Sequence, residues 1–148
     1  MANISSILCP VDLSPSSRAA LDYALFLAHG TGATIDVFHV WELPVMVRPD
    51  LIVWTEGASG ATLADLVKMR AEAAMEHFLR PLDAADRARV TVHLQPGSAA
   101  AAIVDRASAY DLVVMGTHAR GGVSRLVLGS VSERVVRHAS CPVLTIHS

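Results

Sequence analysis

Leu112-Val113-Val114-Met115-Gly116-Thr117-His118-Ala119-Arg120-Gly121-Gly122 leads, ten residues past Ala119, into Gly129-Ser130-Val131-Ser132-Glu133. Leu112–Met115 is an unbroken apolar run, as a strand buried on both faces requires. Gly116–Gly129 is a glycine-bearing connection, and Ser130-x-x-Glu133 matches a capping box opening a helix to His138. A strand, a connection and a helix in that order form half of a β-α-β unit, and Val143–Ile146 supplies the strand that completes it. Towards the amino terminus the same alternation repeats. Ser98 is placed to cap a helix reaching Ala109, and Pro96-Gly97 turns the chain before it. Val90, Val92 and Leu94 alternate with polar residues, the pattern of a strand near a sheet edge. Ala61–Arg80 carries Leu63, Leu66, Val67, Met69, Ala73 and Phe78 as a helical stripe that Pro81 ends. Thr34–Val40 is rich in β-branched and aromatic residues. Ile7–Val11 is followed by Ser14-Pro15, an N-cap and first-turn pair for a helix carrying Leu21, Ala24, Leu25 and Ala28 and stopped at Gly30 and Gly32. Five strands alternating with four helices predict one doubly wound α/β domain over residues 1–148, a parallel sheet with helices on both faces.

Trp41–Gly60 breaks the rhythm. Its prolines, glycines and the side chains Trp41, Met46 and Trp54 predict a long loop over the carboxyl end of the sheet, the kind that is usually functional.

The 148 residues are 52% hydrophobic and 18% charged, which excludes a disordered tail. Twelve Lys and Arg against 14 Asp and Glu leave a net charge of −2, without the basic excess of a phosphate-neutralising nucleic-acid binder. Lys68 is the only lysine, so any mechanism needing one has a single candidate. The longest stretch free of Asp, Glu, Lys and Arg, Val90–Val104, holds Pro96 and Gly97 and falls short of the roughly 20 residues of a membrane span. The start of the chain lacks a basic stretch followed by a long apolar one, so no secretory signal is expected. Cys9 and Cys141 lack metal or redox spacing and, beside prolines at the edges of apolar runs, suit buried, reduced thiols. A cytoplasmic protein is expected.

In open α/β sheets ligands sit at the carboxyl ends of the strands where strand order reverses. Two connections lie there: Cys9-Pro10-Val11-Asp12, and the one from Met115 to Ser130. Glycines admit close backbone approach, free N–H groups at a helix start bind anions, and Arg120 and Arg125 add cationic donors. The alternative is turn chemistry alone, with Ser130 acting only as a cap. Spacing does not separate the two, and Glu133 sets a negative charge near the proposed anion site.

Val113–Ser148 resembles the last third of the universal stress protein family, whose nucleotide-binding members carry Gly-x2-Gly-x9-Gly-Ser/Thr. Here the motif reads Gly116, Ala119 in place of the second glycine, Gly129 and Ser130. Ile7-Leu8-Cys9-Pro10-Val11-Asp12 with Ser14 and Ala20-Leu21 resembles the family's first strand and helix, and His138-Ala139-Ser140-Cys141-Pro142-Val143-Leu144 its entry to the final strand. The resemblance implies an ATP-binding domain with strand order 3-2-1-4-5, commonly a homodimer joined through its last strand. It puts adenine and ribose near Pro10, Val11, Asp12 and Val40. Met115, Gly116, His118, Ala119 and Arg120 would follow the ribose and phosphates, and Gly129, Ser130, Val131 and Ser132 would hold the phosphates, with Mg2+ bridging them. If position 119 needs a positive φ, alanine costs roughly 1 kcal/mol, about fivefold in affinity. If it needs close phosphate approach, one methyl could block the site.

Other chemistries lack their residues. G-x4-G-K-[ST] is absent, G-x-G-x-x-G does not follow the first strand, G-x-S-x-G is missing, and Asp12 stands without the acidic neighbours of a phospho-receiver. The histidines form no H-x3-H or H-x-H pair and are expected to be structural or surface residues. With no positioned base visible, bound ATP is expected to act as a conformational ligand in stress signalling rather than as a substrate. The alternative is a nucleotide-free dimeric scaffold with a decayed site; AMP or a cyclic nucleotide is a further candidate ligand.

Overall fold

The computed structural model describes residues 3–43, 45–54, 60–117 and 128–147. In chain order the elements are β1 (Ser6–Pro10), α1 (Pro15–Thr31), β2 (Thr34–Trp41), β3 (Ile52–Val53), β4 (Ala61–Thr62), α2 (Leu63–Leu79), α3 (Ala84–Arg89), β5 (Val90–Pro96), α4 (Ala99–Ala107), β6 (Leu112–Gly116), α5 (Ser130–His138) and β7 (Val143–Ile146). Five strands form one parallel sheet ordered β5-β2-β1-β6-β7. With the short hairpin β3–β4 set aside, this is the expected 3-2-1-4-5 arrangement, and β5 lies at an edge as its alternating pattern predicts.

Local chemistry places most boundaries. Ser14 caps α1 by accepting from the Ser17 N–H, Pro15 occupies the first turn, and Gly32 ends the helix at φ 78°. Thr62 and Asp65 form a reciprocal capping box on α2. Three expectations need correction. The cap of α5 is Gly129, not Ser130; no side chain closes it, and Glu133 pairs with Arg137 at 2.9 Å instead of folding back. Ser98 stands at the α4 cap position without making a side-chain bond. The segment Trp41–Gly60 read as one long loop contains β3, which pairs antiparallel with β4 at Ala61–Thr62, so that α2 starts at Leu63 rather than Ala61.

Two cores form, one on each face of the sheet. Ile7, Cys9, Val11, Ile35, Val37 and Val114 pack against Ala20, Leu21, Ala24 and Leu25 of α1 and Met75, Phe78 and Leu79 of α2. Leu8, Phe38, Val113 and Met115 pack on the other side against Ala102, Ile103 and Ala107 of α4 and Val135 of α5. The two inward sets alternate along each strand, as the period of a strand requires.

The first turn of α1 presses on the end of β6. A Cβ at Gly116 would lie 2.9 Å from both the carbonyl carbon and oxygen of Ser16. The Ser16 hydroxyl is buried there without a hydrogen-bond partner. At the other end of the same strands, the Asp111 carboxylate accepts from the N–H and hydroxyl groups of Ser5 and Ser6 at 2.7–3.1 Å. These donors, the Ser5 hydroxyl foremost, hold its carboxyl at about 2 against an ordinary 3.8.

Gly116→Ala is expected to destabilise the fold by about 1–3 kcal/mol through backbone overpacking. Gly30→Ala, in the last turn of α1 with nothing within 4 Å of the new methyl, should stabilise it by about 0.5–1 kcal/mol; urea melts measure both. Asp111 has a lowered folded-state value, so its contribution is complete above its ordinary value and lost as pH falls from 3.8 through about 2. Asp111→Asn should therefore be less stable than the parent at neutral pH, and the gap should close in melts taken towards pH 2.

Candidate functional site

The β1–β2 ladder continues to Pro10↔Phe38, whereas the β1–β6 ladder ends at Leu8↔Val113. Pro10 has no N–H with which to extend a ladder. Beyond Leu8 the two central strands part, and a cleft opens at the point where strand order reverses. Its empty space is about 580 Å³, the open mouth included. Pro10, Val11 and Asp12 line it from the end of β1, Phe38 and Val40 from β2, and Met115, Gly116 and Thr117 from the end of β6. Ala99 and Ile103 of α4, Ser17 of α1, and Gly129, Val131 and Ser132 at the start of α5 complete it.

One wall is held by the turn after β1. The Val11 N–H donates to the Phe38 carbonyl at 2.8 Å, and the Val11 carbonyl bonds His39 Nδ1 at 2.8 Å. That contact fixes the proton of His39 on Nδ1. Asp12 Oδ1 accepts from the Ser14 N–H at 3.0 Å and the Ser17 hydroxyl at 2.6 Å, while the Asp12 N–H donates to Ser17 Oγ at 2.9 Å. Leu13, between them, takes φ 66°, a left-handed conformation costing a leucine roughly 1 kcal/mol. The turn is thus held at the lip of the cleft by the hydrogen bonds of Asp12, Ser14 and Ser17, against the strain on Leu13.

The opposite wall is the first turn of α5. The Gly129 N–H donates to the Thr117 carbonyl at 2.7 Å. The Ser132 hydroxyl is directed at carbonyls, Gly129 at 2.9 Å and Thr117 at 3.3 Å. The N–H groups of Ser130, Val131 and Ser132 belong to the first turn and have no intrahelical acceptor. They add to the partial positive charge of the helix start. Gly129 has φ −62° and ψ 159°, which any residue adopts, so its backbone conformation does not demand glycine. Between these walls the lining is chiefly apolar: Val11, Phe38, Val40, Ala99, Ile103, Met115 and Val131.

Of the residues expected at the site, the cleft brings together Pro10, Val11, Asp12, Val40, Met115, Gly116, Gly129, Val131 and Ser132. Ser130 is exposed at the start of α5 and is not among the lining residues. His118, Ala119 and Arg120 lie outside the described residues, as does Arg125. Ser17, Phe38, Ala99, Ile103 and Thr117 line the cleft unanticipated. Two of them carried a usable signal: Phe38, two residues before Val40 on the same face of a strand, and Thr117, between the expected site residues Gly116 and His118. Among the described lining residues Asp12 is the single carboxylate, and no described group of three His, Cys, Asp or Glu could hold a metal. Two further histidines meet carboxylates: His93 Nε2 with Asp36 at 3.0 Å and His29 Nε2 with Asp86 at 2.6 Å.

The profile of the universal stress protein family matches residues 3–147. A universal stress protein of Methanocaldococcus jannaschii is 33% identical over 144 residues, spanning 95% of this chain and 80% of that protein. One from Mycobacterium bovis is 31% identical over 148 residues; the chain spans about half of it, 48%. The solved universal stress protein UspA from Lactobacillus plantarum is 24% identical with a TM-score of 0.72, covering 99% of this chain and 100% of that one. A universal stress protein in complex with cAMP is 21% identical with a TM-score of 0.62, covering 99% and 98%. At these identities the two structural likenesses speak for the fold.

Cys9, next to the lining residue Pro10, is fully buried; that burial pushes its thiol up to about 12 and removes it as a nucleophile. Cys141, expected to be buried too, is half-exposed, because it lies in the connection between α5 and β7 rather than within the sheet. A thiol-reactive disulfide reagent is therefore expected to modify one cysteine in the native protein and the second only on unfolding, with peptide mass mapping assigning the native adduct to Cys141.

Proposed function

The chain belongs to the universal stress protein family, and on that premise we propose that the cleft between β1 and β6 binds an adenine nucleotide, ATP with Mg2+, as a conformational ligand. One observation carries this reading: an apolar slot leads directly into the open first turn of α5. A flat nucleobase would lie among Val11, Val40, Ile103 and Met115, with Pro10 and Gly116 closing its edges. Asp12 at the lip would accept from ribose hydroxyls. Phosphates would meet the N–H groups of Ser130, Val131 and Ser132, with Gly129 admitting close approach, and His118, Ala119 and Arg120 are assigned to the same path by the family motif. The residues present fit such a ligand, because the lining offers nonpolar area between its walls and the donors of a helix start on one of them.

Bound Mg2+ would take its ligands from the phosphates and water, since Asp12 is the one carboxylate among the described lining residues and Ser14 and Ser17 already engage it. That side chain is also the sole titratable group in the described lining and sits at the proposed nucleoside end. The reading is a sensor in which the bound nucleotide acts on the protein's conformation rather than serving as a substrate. A solved family member in complex with cAMP supports the adenine end and names the competing ligand. The proposed protein is a cytoplasmic homodimer joined along β7, an edge strand whose four residues are all half-exposed.

Calorimetric titration of nucleotide-stripped protein with ATP and Mg2+ is expected to give micromolar binding. Gly129→Leu, whose backbone conformation leucine accepts, should weaken it at least about tenfold while the unfolding transition stays within a few degrees of the parent. Equal affinity in the two proteins would sink the phosphate assignment. Parent protein binding cAMP but not ATP would move the ligand to a cyclic nucleotide, and binding of neither would leave an interaction scaffold.

A further inference from the structure

We propose that Thr117 is a positioning residue for the phosphate end of the ligand, tying the start of α5 to the carboxyl ends of both β6 and β7; the inference rests on the nucleotide reading above. Thr117 is 1% exposed and is the last described residue before the connection to α5. Its carbonyl accepts from the Gly129 N–H at 2.7 Å and from the Ser132 hydroxyl at 3.3 Å. Its N–H donates to the Ile146 carbonyl at 3.1 Å. Its hydroxyl lies 3.4 Å from the same carbonyl and 3.3 Å from His147 Nδ1.

One residue thus uses its acceptor to hold the helix start and both its donors to hold the last strand. The α5 cap has no side chain of its own with which to fix the first turn, because it is Gly129. Where those N–H groups stand relative to the apolar slot is therefore set through Thr117. The hydroxyl restrains the residue against β7 and so restrains its carbonyl. A nucleoside, which ends before α5, does not depend on that placement; a triphosphate does.

The test compares Mg-ATP with adenosine by calorimetry in the parent, Thr117→Val, Thr117→Ser and His147→Ala. Thr117→Val keeps the shape and both backbone bonds and removes the hydroxyl. It is expected to weaken ATP about threefold to tenfold, the worth of one or two neutral hydrogen bonds, with adenosine unchanged within about twofold on the same scale. Thr117→Ser should restore ATP affinity. His147→Ala, on an exposed side chain that the fold does not need, should shift ATP in the same direction by about twofold, and keeps the proposal testable if Thr117→Val does not fold. The proposal fails if ATP binding is unchanged in both variants, if ATP and adenosine weaken together, or if serine does not rescue. Parent protein that binds adenosine as tightly as ATP overturns it too. If the parent binds neither, the nucleotide reading itself has failed, which the parent titration alone reveals.

Discussion

β1 and β6 lie side by side at the centre of the sheet, although more than a hundred residues separate them, and their ladder closes after Ile7↔Leu112 and Leu8↔Val113. Everything around the site follows from that short pairing. At its amino end it is reinforced by Asp111, which gathers the donors of Ser5 and Ser6. At its carboxyl end the strands separate, β1 staying with β2 and β6 with β7. The result is a fork clamped at its base. A fork of that kind provides a cleft at little cost to the core, because Leu8, Val113 and their neighbours are already buried below the point of separation.

The two faces of the sheet contribute differently to what the fork holds. On one side α1 fixes the lip: its first turn presses on Gly116 and engages Asp12 through Ser14 and Ser17. On the other side α4 and α5 supply the walls, Ile103 as apolar surface and the start of α5 as unpaired donors. The cleft therefore has its polar groups at its ends and its nonpolar surface between them. That distribution, more than any single residue, supports the proposed ligand, with its ring between the walls, its hydroxyls towards Asp12 and its negative charge towards α5.

Much of this was legible in the sequence because it rests on local signals. Apolar runs marked the five sheet strands, Ser14-Pro15 and Gly32 bounded α1, and alternation put β5 at an edge. α3 escaped because it has no buried residue and hence no apolar stripe. The S-x-x-E pattern at Ser130 misled because capping depends on which residue leaves the helix first. Here the Thr117 carbonyl takes the Gly129 N–H and shifts the start by one position, leaving Glu133 to Arg137. Thr117 escaped although it stands between two expected site residues, Gly116 and His118; the unanticipated lining residues Ser17, Ala99 and Ile103 have a different reason. Each reaches the cleft through the crossing of distant elements, and nothing in their immediate neighbours announces it.

The contact between Gly116 and Ser16 bears on how such chains are read against one another. Gly116 is held to glycine by the backbone of α1, a demand that persists whether or not anything occupies the cleft. A descendant that had abandoned its ligand would keep that glycine for the sake of its core, so its retention is silent about activity. Gly129 is under no torsional demand, since its backbone angles suit any amino acid, and its proposed role is to admit the ligand. Drift at 129 with constancy at 116 would be the trace of lost binding on an intact scaffold, and constancy at both would mark selection acting on the ligand itself.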